Sequence, residues 1–196
     1  MSKIKSALEI AMEKVGKIGE PTEEERLKWK YAPEGERLAA KYLKENSNLL
    51  TKLSQYQENG RKYIIESAAG VLIRHISLPN SDVAKRNNRK AMDGLKVLKS
   101  DKVGVENVYS KIRHVFNHYA EQGEQQRQQA YQSLKTEFEA KLQQEAQQQL
   151  SPLMGVKADV EKHPQFQQER RRIETQLDSQ YLNLLSDYKR ELSDIA

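Results

Sequence analysis

Residues 164–195 read PQFQQERRRIETQLDSQYLNLLSDYKRELSDI, and this stretch decides the fold. Its apolar residues fit an eleven-residue repeat, in which positions 166, 177 and 188 share one phase and positions 173, 184 and 195 share another. Eleven residues in three turns keep a stripe on one face of a nearly straight helix. The pattern predicts a long helix with a seam, for pairing within a hairpin or between two chains, made of Phe166, Ile173, Leu177, Tyr181, Leu184, Tyr188 and Leu192.

The segment before this helix is its predicted partner. Residues 105–150 contain no proline, and apolar positions continue through them except around Gly123, in a glutamine-rich stretch. One long helix is the simplest interpretation, with a kink or short break at Gly123 as the alternative. Because 119–150 and 164–195 are both 32 residues long, we predict an antiparallel, coiled-coil-like hairpin with a tip loop at 151–163. A homodimer, in which a second chain completes the seam, is the alternative.

Shorter amphipathic segments precede the hairpin. A first helix is expected over residues 4–15, Pro33 is expected to interrupt the second, and the apolar residues 61–77 are expected at the centre of a bundle. Residues 99–104 look like a loop. The sequence therefore predicts an all-α fold with a small helical bundle at 1–104 and a long helical hairpin at 105–196.

Composition supports helices and excludes several kinds of chemistry. Of 196 residues, 37% are hydrophobic and 31% are charged, which suits long helices that each bury one narrow stripe. The chain has no cysteine, so disulfides, thiolate metal sites and cysteine nucleophiles are excluded. The longest apolar run, 68–73, is far shorter than the roughly 20 residues that cross a bilayer. We expect a cytoplasmic protein that does not enter the membrane.

No arrangement of residues indicates catalysis. His114 and His118 are four residues apart, but no glutamate immediately follows His114 and no matching Glu-x-x-His pair is present elsewhere, so a structural role is favoured over metal binding. Phosphate-binding glycine loops, serine elbows and dinucleotide motifs are absent. We therefore expect no catalytic residues, no metal, no cofactor and no enzyme activity.

One helix is rich in basic residues. Residues 1–103 hold 21 Lys and Arg against 14 Asp and Glu, whereas the remainder holds 12 against 14. Within the predicted helix at 82–99, the candidate contacts to nucleic acid or ribosome are Lys85, Arg86, Arg89, Lys90, Lys96 and Lys99. The lone tryptophan, Trp29, lies between Lys28 and Lys30, a pattern that can stack on unpaired bases, although docking onto the core is favoured.

The N-terminal segment SKIKSALEIAMEK at residues 2–14 and the internal ISLP at 76–79, together with the charged final helices, resemble a family of uncharacterised bacterial all-helical proteins. The resemblance spans most of the chain and implies no activity, cofactor or site residues. The function predicted from the sequence is that of a non-enzymatic adaptor or scaffold that binds another protein. The alternative is a protein associated with nucleic acid or the ribosome through the basic helix.

Overall fold

The structure is a computed structural model that describes residues 21–45, 47–148 and 159–196. The helices in these ranges are α1 (Glu23–Glu45), α2 (Leu49–Leu53), α3 (Glu58–His75), α4 (Asp82–Leu98), α5 (Lys102–His118), α6 (Glu124–Gln148) and α7 (Pro164–Asp194), with a π-turn at Tyr119–Gly123 and a 3-10 turn at Val160–Lys162. No strand occurs in the described ranges, and the predicted all-α fold is confirmed. The helix predicted at 4–15 lies outside the described residues.

The contacts divide the chain into two compact units, Met1–Leu72 and Ile73–Ala196. Helix α4 therefore belongs with the later helices. It packs against α5, where the Tyr109 hydroxyl donates to the carbonyl of Met92 at 2.6 Å. The predicted domain limits, 1–104 and 105–196, differ from this division and stay a prediction.

In the first unit, α1 runs without interruption through Pro33, so the expected break there is wrong. Proline removes one backbone donor, but Pro33 is exposed and water can satisfy the carbonyl left without a partner. Two residues later Gly35 lies so close to α3 that an added Cβ would be 2.3 Å from the carbonyl oxygen of Ile64. The close packing of α1 on α3 at Gly35 favours one continuous helix.

The first unit has a small aliphatic core. Gly60 supports it at the start of α3, where the ring of Tyr31 fills the space a side chain would need. Among the described residues of this unit, the buried apolar ones are Leu38, Ala39, Leu49, Leu53, Ile64, Ala68, Ala69, Val71 and Leu72. Trp29 is not among them: it is 67% exposed, so the expectation that it docks onto the core is wrong.

Two capped helices open the second unit. The Ser81 hydroxyl accepts from the amide of Ala84 at 3.2 Å and caps α4, and the Asp101 carboxylate accepts from the amide of Gly104 at 2.9 Å and caps α5. The expected loop at 99–104 is thus shorter, because α5 begins at Lys102. This tight connection holds α4 and α5 side by side.

Helix α5 continues into α6 through the π-turn, so the chain is helical from Lys102 to Gln148. The residue before the π-turn, His118, keeps helical angles, with φ −61° and ψ −40°. The two alternatives left open at Gly123 are resolved in favour of a continuous helix with one wide turn. Gly123 itself is buried, and an added Cβ would lie 3.1 Å from the Tyr181 hydroxyl.

Helix α7 packs against both α5 and α6, and the contacts run in opposite chain directions. Near its start Phe166 meets Tyr131 with ring centroids 5.8 Å apart, and near its end Glu191 pairs with Lys111 at 2.8 Å. The partner of α7 is therefore shifted from the predicted 119–150 toward earlier residues, because Tyr119 already meets the middle of α7. The coiled-coil geometry of this pair stays a prediction. Most of the predicted tip loop, 151–158, lies outside the described residues.

The predicted seam of α7 is only partly buried within one chain. Phe166, Tyr181 and Leu192 are buried, and Ile173, Leu177 and Tyr188 are half-buried. Leu184 is 45% exposed, whereas its neighbour Leu185 is 2% exposed and occupies the inner face. The reason is spacing: positions 181, 185, 188 and 192 advance by four, three and four residues, which keeps them on one side of a helix. A dimer interface through the seam residues stays a prediction.

No helix in the described part of the chain is both long enough and apolar enough to cross a membrane.

Candidate functional site

The second unit contains an open groove between α4 and α5, with a volume of about 500 Å³. We call it the α4–α5 groove. Its size falls within the range of ordinary ligand pockets. It is lined by Pro79, Lys85, Asn88, Arg89, Met92, Asp93, Lys96, Glu106, Tyr109, Arg113, Phe116, Asn117 and Ala120.

Asn88 fixes one end of the groove. Its side-chain oxygen accepts from the amide of Ser77 at 2.8 Å, and its side-chain nitrogen donates to the carbonyl of Ser77 at 2.6 Å. Asn88 is only 3% exposed, and it satisfies both backbone groups of a residue that lies between α3 and α4. The bonds hold the segment that contains Pro79 against α4 and complete the wall of the groove.

The floor of the groove is apolar and its rim is charged. Met92, Tyr109 and Phe116 supply apolar and aromatic surface, and the Tyr109 hydroxyl is occupied by its bond to the Met92 carbonyl. The rim carries four cations, Lys85, Arg89, Lys96 and Arg113, and two carboxylates, Asp93 and Glu106. A surface of this kind can hold a ligand that combines negative charge with an apolar anchor.

Glu106 joins two of these cations. One carboxylate oxygen accepts from Lys96 across the groove at 3.0 Å, and the other accepts from Arg113 on its own helix at 2.6 Å. The hydrogen bond from Arg113, followed by that from Lys96, lowers the pKa of Glu106. The carboxylate therefore stays charged at any pH near neutrality.

Among the described residues, Arg89 is the cation of the rim for which no partner is found. Lys85 lies 3.4 Å from Asp82, and Lys96 and Arg113 both bind Glu106. Within the described residues, Arg89 makes no hydrogen bond or ion pair. It is exposed on α4 and is free to meet an incoming anion.

The structure separates the six basic residues predicted to contact nucleic acid. Lys85, Arg89 and Lys96 line the groove, whereas Arg86 and Lys90 lie outside its lining. Lys99 binds the end of α7 instead, where its ammonium donates to the carbonyls of Ser193 and Ile195 at 3.3 Å and 2.5 Å. The basic run is therefore not one continuous surface. Contact with nucleic acid by these residues stays a prediction.

Lys102, next to the predicted set, also has a structural role. Its ammonium donates to the carbonyl of Val97 at 3.2 Å and to the carbonyls of Lys96 and Lys99, at the end of α4. A cation there satisfies carbonyls that lack helical partners and opposes the negative end of the helix dipole. Sequence reasoning counted Lys99 as a surface charge and could not see the helix ends that Lys99 and Lys102 bind.

Arg113 is one of the groove residues that sequence reasoning missed. It lies on α5, outside the basic helix, and it does not belong to a cluster of like charges. The available signal was its spacing: Glu106, Tyr109, Arg113 and Phe116 follow each other by three or four residues and so share one face of α5. This face becomes a functional candidate only once α4 is placed beside it.

A second polar group, which we call the π-turn cluster, lies between the π-turn and α7. It consists of His118, Tyr119, Arg127, Asp178 and Tyr181. Tyr119 donates to Asp178 at 3.3 Å, Arg127 donates to the other Asp178 oxygen at 3.3 Å, and His118 Nδ1 lies 2.9 Å from the Tyr181 hydroxyl.

The π-turn cluster is internally satisfied. Burial, followed by the nearby carboxylate of Asp178, raises the pKa of Tyr119. The guanidinium of Arg127 stacks 4.2 Å from the centre of the Tyr119 ring. His118, expected from the sequence to be structural, has a hydrogen-bond partner here. Because each group is paired, we interpret this cluster as a device that fixes the register of α7.

A family model for proteins of unknown function, DUF6657, matches residues 50–194. No curated protein and no solved structure matches the chain. The matched range contains the whole α4–α5 groove and the π-turn cluster, but it excludes the N-terminal segment that carried much of the resemblance noted in the sequence. That resemblance, to a family without an assigned activity, is confirmed. Since the match covers most of its length, the chain belongs to the DUF6657 family of unknown function.

Proposed function

We propose that this chain is a non-enzymatic interaction protein that holds an acidic, apolar-anchored segment of a protein partner in the α4–α5 groove. The observation that carries the proposal is the combination of an apolar floor with a cationic rim in which Arg89 has no partner among the described residues. An arginine beside aromatic and methionine side chains is typical of interface centres.

The dimensions of the groove suit one helical segment. From Lys85 to Lys96, α4 advances roughly 16 Å at about 1.5 Å per residue. A helix of about three turns covers the same length. Its acidic face would meet Lys85 and Arg89, and its apolar face would cover Met92 and Phe116, the helix-in-groove mode of recognition.

A protein segment is favoured over nucleic acid by the carboxylates of the rim. Asp93 and Glu106 line the same groove as the cations and would repel a continuous phosphate backbone. The withdrawal of Lys99 to the end of α7 further shortens the basic surface. Nucleic-acid or ribosome binding remains the second candidate, supported by the exposed and unpaired Arg86 beside the groove, among the described residues.

Charge reversal at two arginines of α4 separates these functions. Arg89 lines the groove, whereas Arg86 is also exposed on the same helix but lies outside the lining. The probe is a fluorescent peptide of about 12 residues with glutamate on one helical face and leucine and phenylalanine on the other. We expect Arg89→Glu to weaken its binding at least about tenfold, as for removal of a charge-assisted hydrogen bond, and Arg86→Glu to change it less than about threefold.

Fluorescence anisotropy of the full chain measures both affinities, and a single-stranded oligonucleotide is titrated in parallel. If both charge reversals weakened peptide binding equally, the effect would come from net charge, and the proposal that the peptide binds in the groove would be contradicted. Tight oligonucleotide binding that both reversals abolish, without peptide binding, would establish the second candidate instead. Circular dichroism of both variants controls for folding.

A further inference from the structure

In the part of the chain that the structure describes, Glu106 is the carboxylate of the α4–α5 groove that binds two rim cations at once. Each of its oxygens accepts one bond, from Lys96 at 3.0 Å and from Arg113 at 2.6 Å. The two cations belong to different helices, α4 and α5. The carboxylate of Glu106 thus occupies the position, relative to Lys96 and Arg113, that a carboxylate of a bound partner would need.

We propose that Glu106 is an internal occupant of the anion site of the groove, and that a partner carboxylate binds by displacing it from Lys96 and Arg113. This inference rests on the proposed function and adds a specificity-determining residue to it. Arg89, which has no partner in the described chain, is the point of first contact, and the displacement of Glu106 follows.

The exchange explains how the groove selects its ligand. Replacing one carboxylate by another on the same two cations gains little free energy, because the new ion pairs resemble the ion pairs that they replace. A small free anion therefore gains little at this site. A segment that also covers Met92, Tyr109 and Phe116 adds apolar burial, and only such a segment displaces Glu106.

A purely structural role for Glu106 predicts a different behaviour. The side chains of Lys96 and Arg113 are each 51% exposed, and that of Glu106 is 44% exposed. Ion pairs this open contribute little to folding. Removing the charge of Glu106 should therefore leave the fold intact and change mainly what the groove binds.

Glu106→Gln tests the inference, with Glu191→Gln as the matched control. Glu191 pairs with Lys111 at 2.8 Å outside the groove lining, so both substitutions remove one negative charge and one carboxylate partner of a lysine. We expect Glu106→Gln to bind the acidic peptide roughly two- to fivefold more tightly than the unaltered chain, the range that exposed ion pairs are worth. Glu191→Gln should change the affinity by less than about twofold.

The outcomes separate the two proposals. If the unaltered chain binds the peptide but Glu106→Gln binds no more tightly than Glu191→Gln, the proposal that the peptide displaces Glu106 is wrong. The proposal that the groove binds the peptide then remains. If neither the unaltered chain nor Glu106→Gln binds the peptide, the proposed function fails, and this inference fails with it. A thermal midpoint measured for each variant shows whether the fold is retained. If Glu106→Gln is too unstable to assay, Glu106→Ala replaces it with the same expected direction.

Discussion

At the scale of single residues, the structure shows where sequence reasoning about charge succeeds and where it ends. The exposure of Lys85, Arg86 and Arg89 follows from their position on the polar side of an amphipathic helix, which the sequence displays. The partners of Lys99 and Lys102 do not follow, because both lysines bind backbone carbonyls at helix ends. Lys99 meets the end of α7 only in the folded chain, and Lys102 binds the end of α4 just before it in the sequence. Trp29 was misjudged for a similar reason: burial depends on what α1 packs against.

Asn88 is the residue whose local effect is easiest to isolate. Replacing it with alanine removes the two bonds to Ser77 and leaves two backbone groups without partners. We expect Asn88→Ala to lower the free energy of unfolding by about 1–3 kcal/mol. Urea denaturation followed by circular dichroism measures the change.

Asn87→Ala is the matched control for Asn88→Ala. Asn87 is the preceding residue on α4, and it is exposed. Its replacement should change the free energy of unfolding by less than about 0.5 kcal/mol. If the two variants unfolded at the same urea concentration, the two hydrogen bonds between Asn88 and Ser77 would not hold the wall of the groove.

At the scale of the elements, the π-turn shows how much of the fold the sequence could predict. The sequence predicts a helix on either side of Gly123. The residues that face α7 then include Tyr119, Gly123, Arg127 and Tyr131, at steps of four. Three such steps on a regular α-helix would carry the stripe about 120° around its surface, because each exceeds one turn by about 40°. The extra residue of the π-turn offsets most of this drift. The four-residue spacing of the stripe was therefore the sequence signal for a π-turn.

Deleting one residue from the π-turn tests this account. Without Gln122, which is exposed, Tyr119–Gly123 would close into an ordinary α-helical turn and rotate α6 by about 100° relative to α5. Tyr131 and Phe138 could not then both face Phe166 while α5 stays packed on α7. We expect the thermal midpoint to fall by more than about 5 °C, as for a loss of more than about 2 kcal/mol.

Gln122→Ala keeps the length of the chain and serves as the control for the deletion. Its thermal midpoint should stay within about 2 °C of the unaltered chain, because the side chain is exposed. A deletion variant as stable as this control would mean that the π-turn does not set the phase between α5 and α6.

At the scale of the whole molecule, the helical class was predictable and the candidate site was not. Helix periodicity, capping residues and the absence of alternating strands are local properties of the sequence. The α4–α5 groove is not local: Arg113 and Phe116 become neighbours of Arg89 only after α5 folds back on α4. The sequence therefore pointed to the basic helix alone. The wall of the groove that α5 supplies, and the apolar floor of the groove, depend on tertiary packing.

The central claim is that the α4–α5 groove receives an acidic, apolar-anchored segment. Amide NMR of the isotope-labelled full chain, titrated with the acidic peptide, tests it most directly because each backbone amide reports separately. We expect shifts concentrated at the groove residues on α4 and α5, including Arg89, Met92, Glu106 and Phe116, with little change at the π-turn cluster. Shifts centred on another surface, or none at millimolar peptide, would contradict it.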